Sequence, residues 1–139
     1  MPYDSTNIFA KILRGEIPSH KVLETDDVIV FMDVMPQGTG HTLVVPKSAA
    51  RNLLDADPAV LAKLLPVVQR VAQAVKQAFA ADGVSVFQYN EPAGGQSVFH
   101  LHFHVVPRFE GVPLRPHSGA MEDPAVLAAN ADLVRRALT

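Results

Sequence analysis

The sequence predicts an α+β fold: a five-stranded antiparallel sheet with a long helix, a short N-terminal helix and a C-terminal helix. Three observations predict it. Five runs rich in Val, Ile, Leu and Phe are separated by connections that carry Gly, Pro or paired Asp, as expected of strands joined to near neighbours. One stretch, "DPAVLAKLLPVVQRVAQAVKQAFAADG", places apolar residues at helical spacing over a length no strand reaches. The same Asp-Pro opening returns in "EDPAVLAANADLVRRAL" near the end of the chain.

Taken in order, "STNIFAKILRG" reads as the short helix, with Ser5 or Thr6 as its cap, Ile8, Phe9, Ile12 and Leu13 on one face, and Gly15 to end it. "HKVLET" and "VIVFMD" are the first two strands, turned at Asp26 and Asp27. "VMPQGTG" is a loop, and "HTLVVP" is the third strand, stopped at Pro46. Asp57 caps the long helix, Pro58 occupies its first position and Gly83 closes it. Pro66 lies inside it and should kink it, because it offers no N–H to the preceding turn. "VSVFQYN" and "SVFHLHFHVVPR" are the fourth and fifth strands, joined by "EPAGGQ". "FEGVPLRPHSGAM" is irregular and leads into the terminal helix.

With 139 residues, 48% of them apolar and 19% charged, the chain has the balance of a globular domain with a real core. No apolar run is long enough to span a membrane, and the N-terminus lacks the pattern of a signal peptide. Together these point to a cytoplasmic protein with no membrane partner. There is no cysteine, so disulfides and thiolate metal sites are excluded. A net charge of -2 without a Lys/Arg block argues against nucleic acid as a partner.

The chemistry concentrates in "FHLHFHVVPR", where His100, His102 and His104 recur at intervals of two. On a strand these three imidazoles share one face, while Leu101, Phe103 and Val105 share the other and can pack under a helix. Strand propensity gives no reason to choose histidine three times. Two readings follow. The imidazoles could bind a divalent metal, as three-histidine zinc sites do, or one could attack phosphorus while its neighbours hold charge and move protons. The upstream "NEPAGGQS" favours phosphorus: its small residues let backbone N–H groups approach a ligand, and Gln96 and Ser97 add donors.

"GQSVFHLHFHVV" resembles the signature of the histidine triad (HIT) superfamily, and "NIFAKILRGEIPSHKVLETDDVIVFMDVMPQGTGHTLVVPK" is similar to the N-terminal half of its Hint branch. The resemblance implies one HIT domain over 1–139, with a core at about 7–109 and a C-terminal extension from 110 to 139. It implies a hydrolase acting at the α-phosphate of purine nucleoside phosphoramidates or dinucleoside polyphosphates, with an AMP or GMP moiety as its partner. His102 would be the nucleophile that forms a nucleotidyl-histidine intermediate, His104 would contact phosphate, and His100 would support the site. His41 matches the separate upstream histidine of the family. Asn90, Gln96 and Ser97 match phosphate-lining positions, and Asp33 the carboxylate on the ribose hydroxyls. Ile8, Phe9, Phe31, Met32 and Val34 fall where relatives build the slot for the base. No cofactor and no metal are expected, since the cysteine metal motif of some relatives is absent. His20 and His117 receive no role and read as surface residues.

A homodimer is expected on three grounds. A five-stranded antiparallel sheet leaves two edges that invite pairing, the long helix carries apolar residues around more of its circumference than a single sheet needs to cover, and the resemblance to the family implies a dimer. The alternative to an enzyme is a nucleotide-binding regulatory or adaptor protein with little turnover. The chain departs from the Hint branch after residue 110, where an irregular segment and a helix replace that branch's short aromatic tail.

Overall fold

The computed structural model describes residues 2–116 and 119–139, so His117 lies outside the described residues. The elements are α1 (Ile8–Leu13), β1 (Lys21–Glu24), β2 (Val28–Met32), β3 (Thr42–Pro46), α2 (Pro58–Ala78), β4 (Gly83–Phe87), a single 3-10 turn (Pro92–Gly94), β5 (Phe103–Arg108) and α3 (Pro124–Leu138). The strands form one sheet in the order β1-β2-β3-β5-β4. Every neighbouring pair is antiparallel.

Local chemistry sets most boundaries. The Asp57 carboxylate accepts the Ala59 N–H at 2.8 Å, and Asp123 does the same for Ala125, so both Asp-Pro signals open helices as expected. α2 runs unbroken through Pro66, which lies on its exposed side. There water can take the carbonyl that loses its donor. The turn between β1 and β2 is organised by Thr25, whose hydroxyl accepts the N–H groups of Asp27 and Val28.

Three boundaries differ from the sequence reading. α1 is capped by Asn7, whose side chain accepts the Ala10 N–H. Thr6 is instead engaged by Asp4, which accepts both its N–H and its hydroxyl. α2 ends before Gly83: Ala80 takes the left-handed conformation (φ 49°) and the Ala81 N–H reaches back to the Lys76 carbonyl. Gly83 begins β4. The fifth strand starts at Phe103, not Ser97, so among the three histidines only His104 lies in a paired strand.

The sheet divides two layers. On one face Val28, Val30, Val44, Leu101 and Val105 pack with Leu64, Val68, Val71 and Val75 of α2 and with Leu127, Ala131 and Val134 of α3. On the other, Phe9 of α1 packs with Ile29, Phe31, Leu43 and Val45. Strand alternation therefore holds through the histidine stretch: Leu101 and Val105 lie in the helix-side core, and His104 is paired with Leu43 of the opposite face.

α3 also accounts for the wide apolar girth of α2. Leu64, Val67, Val68, Val71 and Val75 are buried within one chain, and Leu61 and Phe79 pack against the same core. Leu65 is left 50% exposed. The inference from helix circumference to a second subunit does not hold, because the C-terminal helix covers what the sheet does not. Among the described residues, no helix is long and apolar enough to cross a membrane.

Candidate active site

The histidines converge where β5 meets β3 and α1. The Phe9 ring stands edge-on to His102 with centroids 4.8 Å apart, and His102 and His104 are themselves 4.8 Å apart. Phe87 of β4 stacks flat on His104 at 4.6 Å. These apolar contacts fix ring planes, and hydrogen bonds then assign the nitrogens.

At His102, Nδ1–H donates to the His100 carbonyl at 2.7 Å. A neutral His102 therefore carries its lone pair on Nε2. At His100, Nε2–H donates to the Pro46 carbonyl at 2.7 Å, leaving Nδ1 to accept the Tyr3 hydroxyl at 2.5 Å. Asn7 donates its amide to the Tyr3 oxygen at 2.9 Å. The residue that caps α1 thus also begins the chain of bonds that orients the histidines. On the other side, the Gln37 N–H donates to His41 Nδ1 at 3.0 Å. Neutral His41 then holds its proton on Nε2 and donates it to His104 Nδ1 at 2.9 Å. His104 in turn holds its proton on Nε2, the ring edge away from His41. In their neutral forms, His102 thus presents a lone pair on Nε2 and His104 an N–H.

Burial holds the pKa of His100 below its ordinary 6.5, opposed only by the bond to the Pro46 carbonyl. Because the folded pKa is the lower one, the unfolded chain takes up this proton first as pH falls. The stability contribution is complete above the ordinary histidine range and is lost as pH drops through the folded pKa. Urea unfolding followed from about pH 7.5 to about pH 5 should show stability declining with acid. The decline should be shallower in His100→Asn; equal slopes would mean that His100 is not the group being protonated.

A cleft of about 430 Å³ opens beside His102 and His104. Ile8, Phe9, Phe31, Met32, Val34, Asp33 and Ser97, all singled out by the sequence reading, line it. So do Ile12, Ile17, Leu43 and Met35, which that reading left out, and His20, which is half-buried on the cleft wall and not a surface residue. Asp33 is buried at its end. One carboxylate oxygen accepts the Met35 N–H at 2.9 Å and the other lies 3.5 Å from His41 Nε2.

Part of the cleft comes from the C-terminal segment. Met121 and Glu122 line it, and the Glu122 N–H donates to the Val34 carbonyl at 2.9 Å. The Arg115 N–H reaches the Gln37 carbonyl and the Gln37 amide returns to the Arg115 carbonyl. This segment thereby pins the loop whose Gln37 N–H sets the His41 tautomer. No local sequence signal links residues so far apart.

Asn90 and Gln96 sit behind the cleft wall. Gln96 Oε1 accepts the Asn52 amide and the Glu91 N–H, and its amide donates to the Arg51 and Val98 carbonyls. Asn90 Oδ1 accepts the Leu53 N–H and bonds to Gln88. Both side chains hold the loop before Ser97, in which Glu91 adopts a positive φ of 66°. Such backbone strain persists where its surroundings over-determine it.

The three triad imidazoles do not converge on a point that a metal could occupy, since each addresses a different partner. The group among the described residues with ligand atoms close together, within 4.8 Å, is Asp33, His41 and His104. There, in neutral His41, the nitrogen nearest the others carries the proton bonded to His104.

The family model described as "HIT domain" matches residues 14–111. A crystal structure of a Hit-like protein involved in cell-cycle regulation from Bartonella henselae superposes with a TM-score of 0.92 at 53% identity, covering 98% of this chain and 99% of that one. The adenosine 5′-monophosphoramidase HNT1 of Saccharomyces cerevisiae is 37% identical over 105 residues, 76% of this chain and 64% of its own. The adenylylsulfatase HINT3 of Arabidopsis thaliana is 35% identical over 103 residues, 74% and 52% of the two chains.

Proposed function

This chain belongs to the HIT family, and from that premise we propose that it is a hydrolase acting at the α-phosphate of purine nucleoside phosphoramidates or dinucleoside polyphosphates, through a nucleotidyl-histidine intermediate. The observation that carries the reading is the orientation of His102, whose Nδ1–H is spent on the His100 carbonyl so that Nε2 is the nucleophilic edge. In the first step the Nε2 lone pair attacks phosphorus, an N–P bond forms, and the leaving group departs with the electrons of the broken bond, an amine taking up a proton from solvent as it goes. In the second, water attacks phosphorus, the N–P bond breaks with its electron pair returning to Nε2, and the proton shed by the water passes to solvent. Splitting the displacement lets one pocket serve both steps. His104 donates to a phosphate oxygen, and backbone donors near Ser97 share the charge. The nucleoside occupies the apolar cleft, with Asp33 accepting from the ribose hydroxyls. Gln96 and Asn90 act through the loop they hold.

The test is hydrolysis of adenosine and guanosine 5′-phosphoramidates and of diadenosine tetraphosphate by purified protein, before and after dialysis against a strong chelator. Turnover that survives chelation is expected, because imidazoles and backbone donors already neutralise the phosphate. Activity that only zinc restores would replace this mechanism with a metal-dependent one. Binding of nucleoside monophosphates without any hydrolysis would favour a nucleotide-binding regulator instead.

We also propose a homodimer, now on the ground of the sheet edge alone. β4 is a terminal strand, and its Val86 is 46% exposed. An open edge beside apolar surface favours pairing with a second copy. Light scattering after size exclusion at micromolar protein should give about twice the 15.0 kDa chain mass. A fully active species at the single-chain mass would rule the dimer out.

A further inference from the structure

We propose that Glu122, contributed by the C-terminal segment, reads the base of the nucleotide and selects guanine, a step that rests on the nucleoside occupying the cleft as in the reading above. Glu122 lies beyond residue 111, where the match to the family model ends. It enters the cleft together with Met121, just ahead of α3. Its N–H donates to the Val34 carbonyl at 2.9 Å. Val34 walls the base slot and directly follows Asp33. The carboxylate proposed for the ribose, the slot wall and Glu122 therefore succeed one another along the cleft, leading away from the histidines.

The chemistry of this half of the cleft favours one purine. Among the described residues no Lys or Arg lines the cleft, so a carboxylate facing it has no cation there and must find its N–H donors on the ligand. Glu122 is half-buried, and its Oε1 accepts the Asp123 N–H at 3.0 Å. That bond limits the rotamers of the side chain and leaves Oε2 outside it. An ionised carboxylate accepts hydrogen bonds and cannot donate them. His20, the other titratable side chain on this wall, can do either and so chooses no base.

With the ribose on Asp33 and the ring against Val34, the edge of the base farthest from the glycosidic bond is presented toward Glu122. Guanine carries two adjacent donors on that edge, N1–H and the exocyclic N2 amino group, which match the two oxygens of one carboxylate. Adenine carries a lone pair at N1 with one amino donor beside it, so a single bond is gained against a repulsion. Hypoxanthine keeps N1–H and lacks the amino group. A base that covers the carboxylate without supplying donors leaves it desolvated and unpaired, which costs more than the bond itself is worth in water. The expected order of affinity is guanine, hypoxanthine, adenine.

Calorimetry with GMP, IMP and AMP on the whole 139-residue chain tests this without requiring turnover. Wild type should bind GMP about tenfold or more tighter than AMP, with IMP between them. Glu122→Gln keeps the size of the side chain and exchanges one acceptor oxygen for a donor, so the preference for GMP over AMP should shrink to about threefold or less. Glu122→Ala, which keeps the backbone bond to Val34, should shrink it as well. Loss of a carboxylate with a merely structural role would weaken all three nucleotides in parallel and leave their ratios unchanged, which would overturn the assignment. So would a wild type that binds AMP as tightly as GMP, and in both cases the hydrolase reading stands. A protein that binds none of the three would overturn both. One that prefers GMP through Glu122 yet cleaves no guanosine 5′-phosphoramidate would uphold the base selection and overturn the hydrolase.

Discussion

Replacing His102 with alanine is expected to lower kcat by at least roughly a thousandfold, while a nucleoside 5′-monophosphate still binds within a few-fold of wild type. The split follows from where His102 sits. In the proposed mechanism its bond to phosphorus exists only along the reaction path, so the ground-state complex should lose little when the ring is removed. The cleft retains Phe31, Leu43 and the rest of its apolar wall, together with Asp33. Phe9 loses an edge contact with the ring, which sets the small change in binding. Single-turnover kinetics and calorimetry with AMP separate the two quantities. Activity within tenfold of wild type would remove His102 from the nucleophile's role.

Asp33→Ala should act on the other side of that division. A carboxylate accepting from ribose hydroxyls contributes charge-assisted hydrogen bonds worth about 1.5–3 kcal/mol, or roughly 10- to 150-fold in affinity. The substitution also removes the acceptor for the Met35 N–H and the carboxylate beside His41, so the loss alone would be ambiguous. Comparison with a 2′,3′-dideoxy nucleotide isolates the ribose contribution. Wild type should discriminate between the two sugars and the variant should not. If wild type binds both equally, Asp33 is a loop residue and the sugar is held elsewhere.

The features legible in the sequence are those whose cause is local. The alternation of Phe103 with His104 in β5 follows from period two, and the helix starts follow from Asp-Pro, because a cap and its target lie two residues apart. What stayed hidden is assembled across the chain. Tyr3 meets His100 over a separation of 97 residues, His41 meets His104 over 63, and Arg51 meets Glu91 over 40. No short window of sequence contains any of the three pairs. The boundary errors have the same origin. Asn7 outcompetes Ser5 and Thr6 as a cap because Tyr3 and Ala10 both engage its side chain. Residues 97–102, a strand by composition, find no strand partner. There the Leu101 N–H turns to the Ala50 carbonyl and Gln96 ties Val98 to Arg51.

The stretch matched by the family model stops at residue 111, yet α3 lies beyond it and supplies Leu127, Ala131 and Val134 to the core, all at 3% exposure or less. The boundary of the family model and the boundary drawn by folding are therefore different lines. A recombinant fragment trimmed to the shared stretch would keep every histidine of the triad and still expose a flank of α2. It would also release the loop at Gln37, and with it the constraint on which nitrogen of His41 holds its proton. For expression, crystallisation or grafting, the smallest useful unit runs through α3.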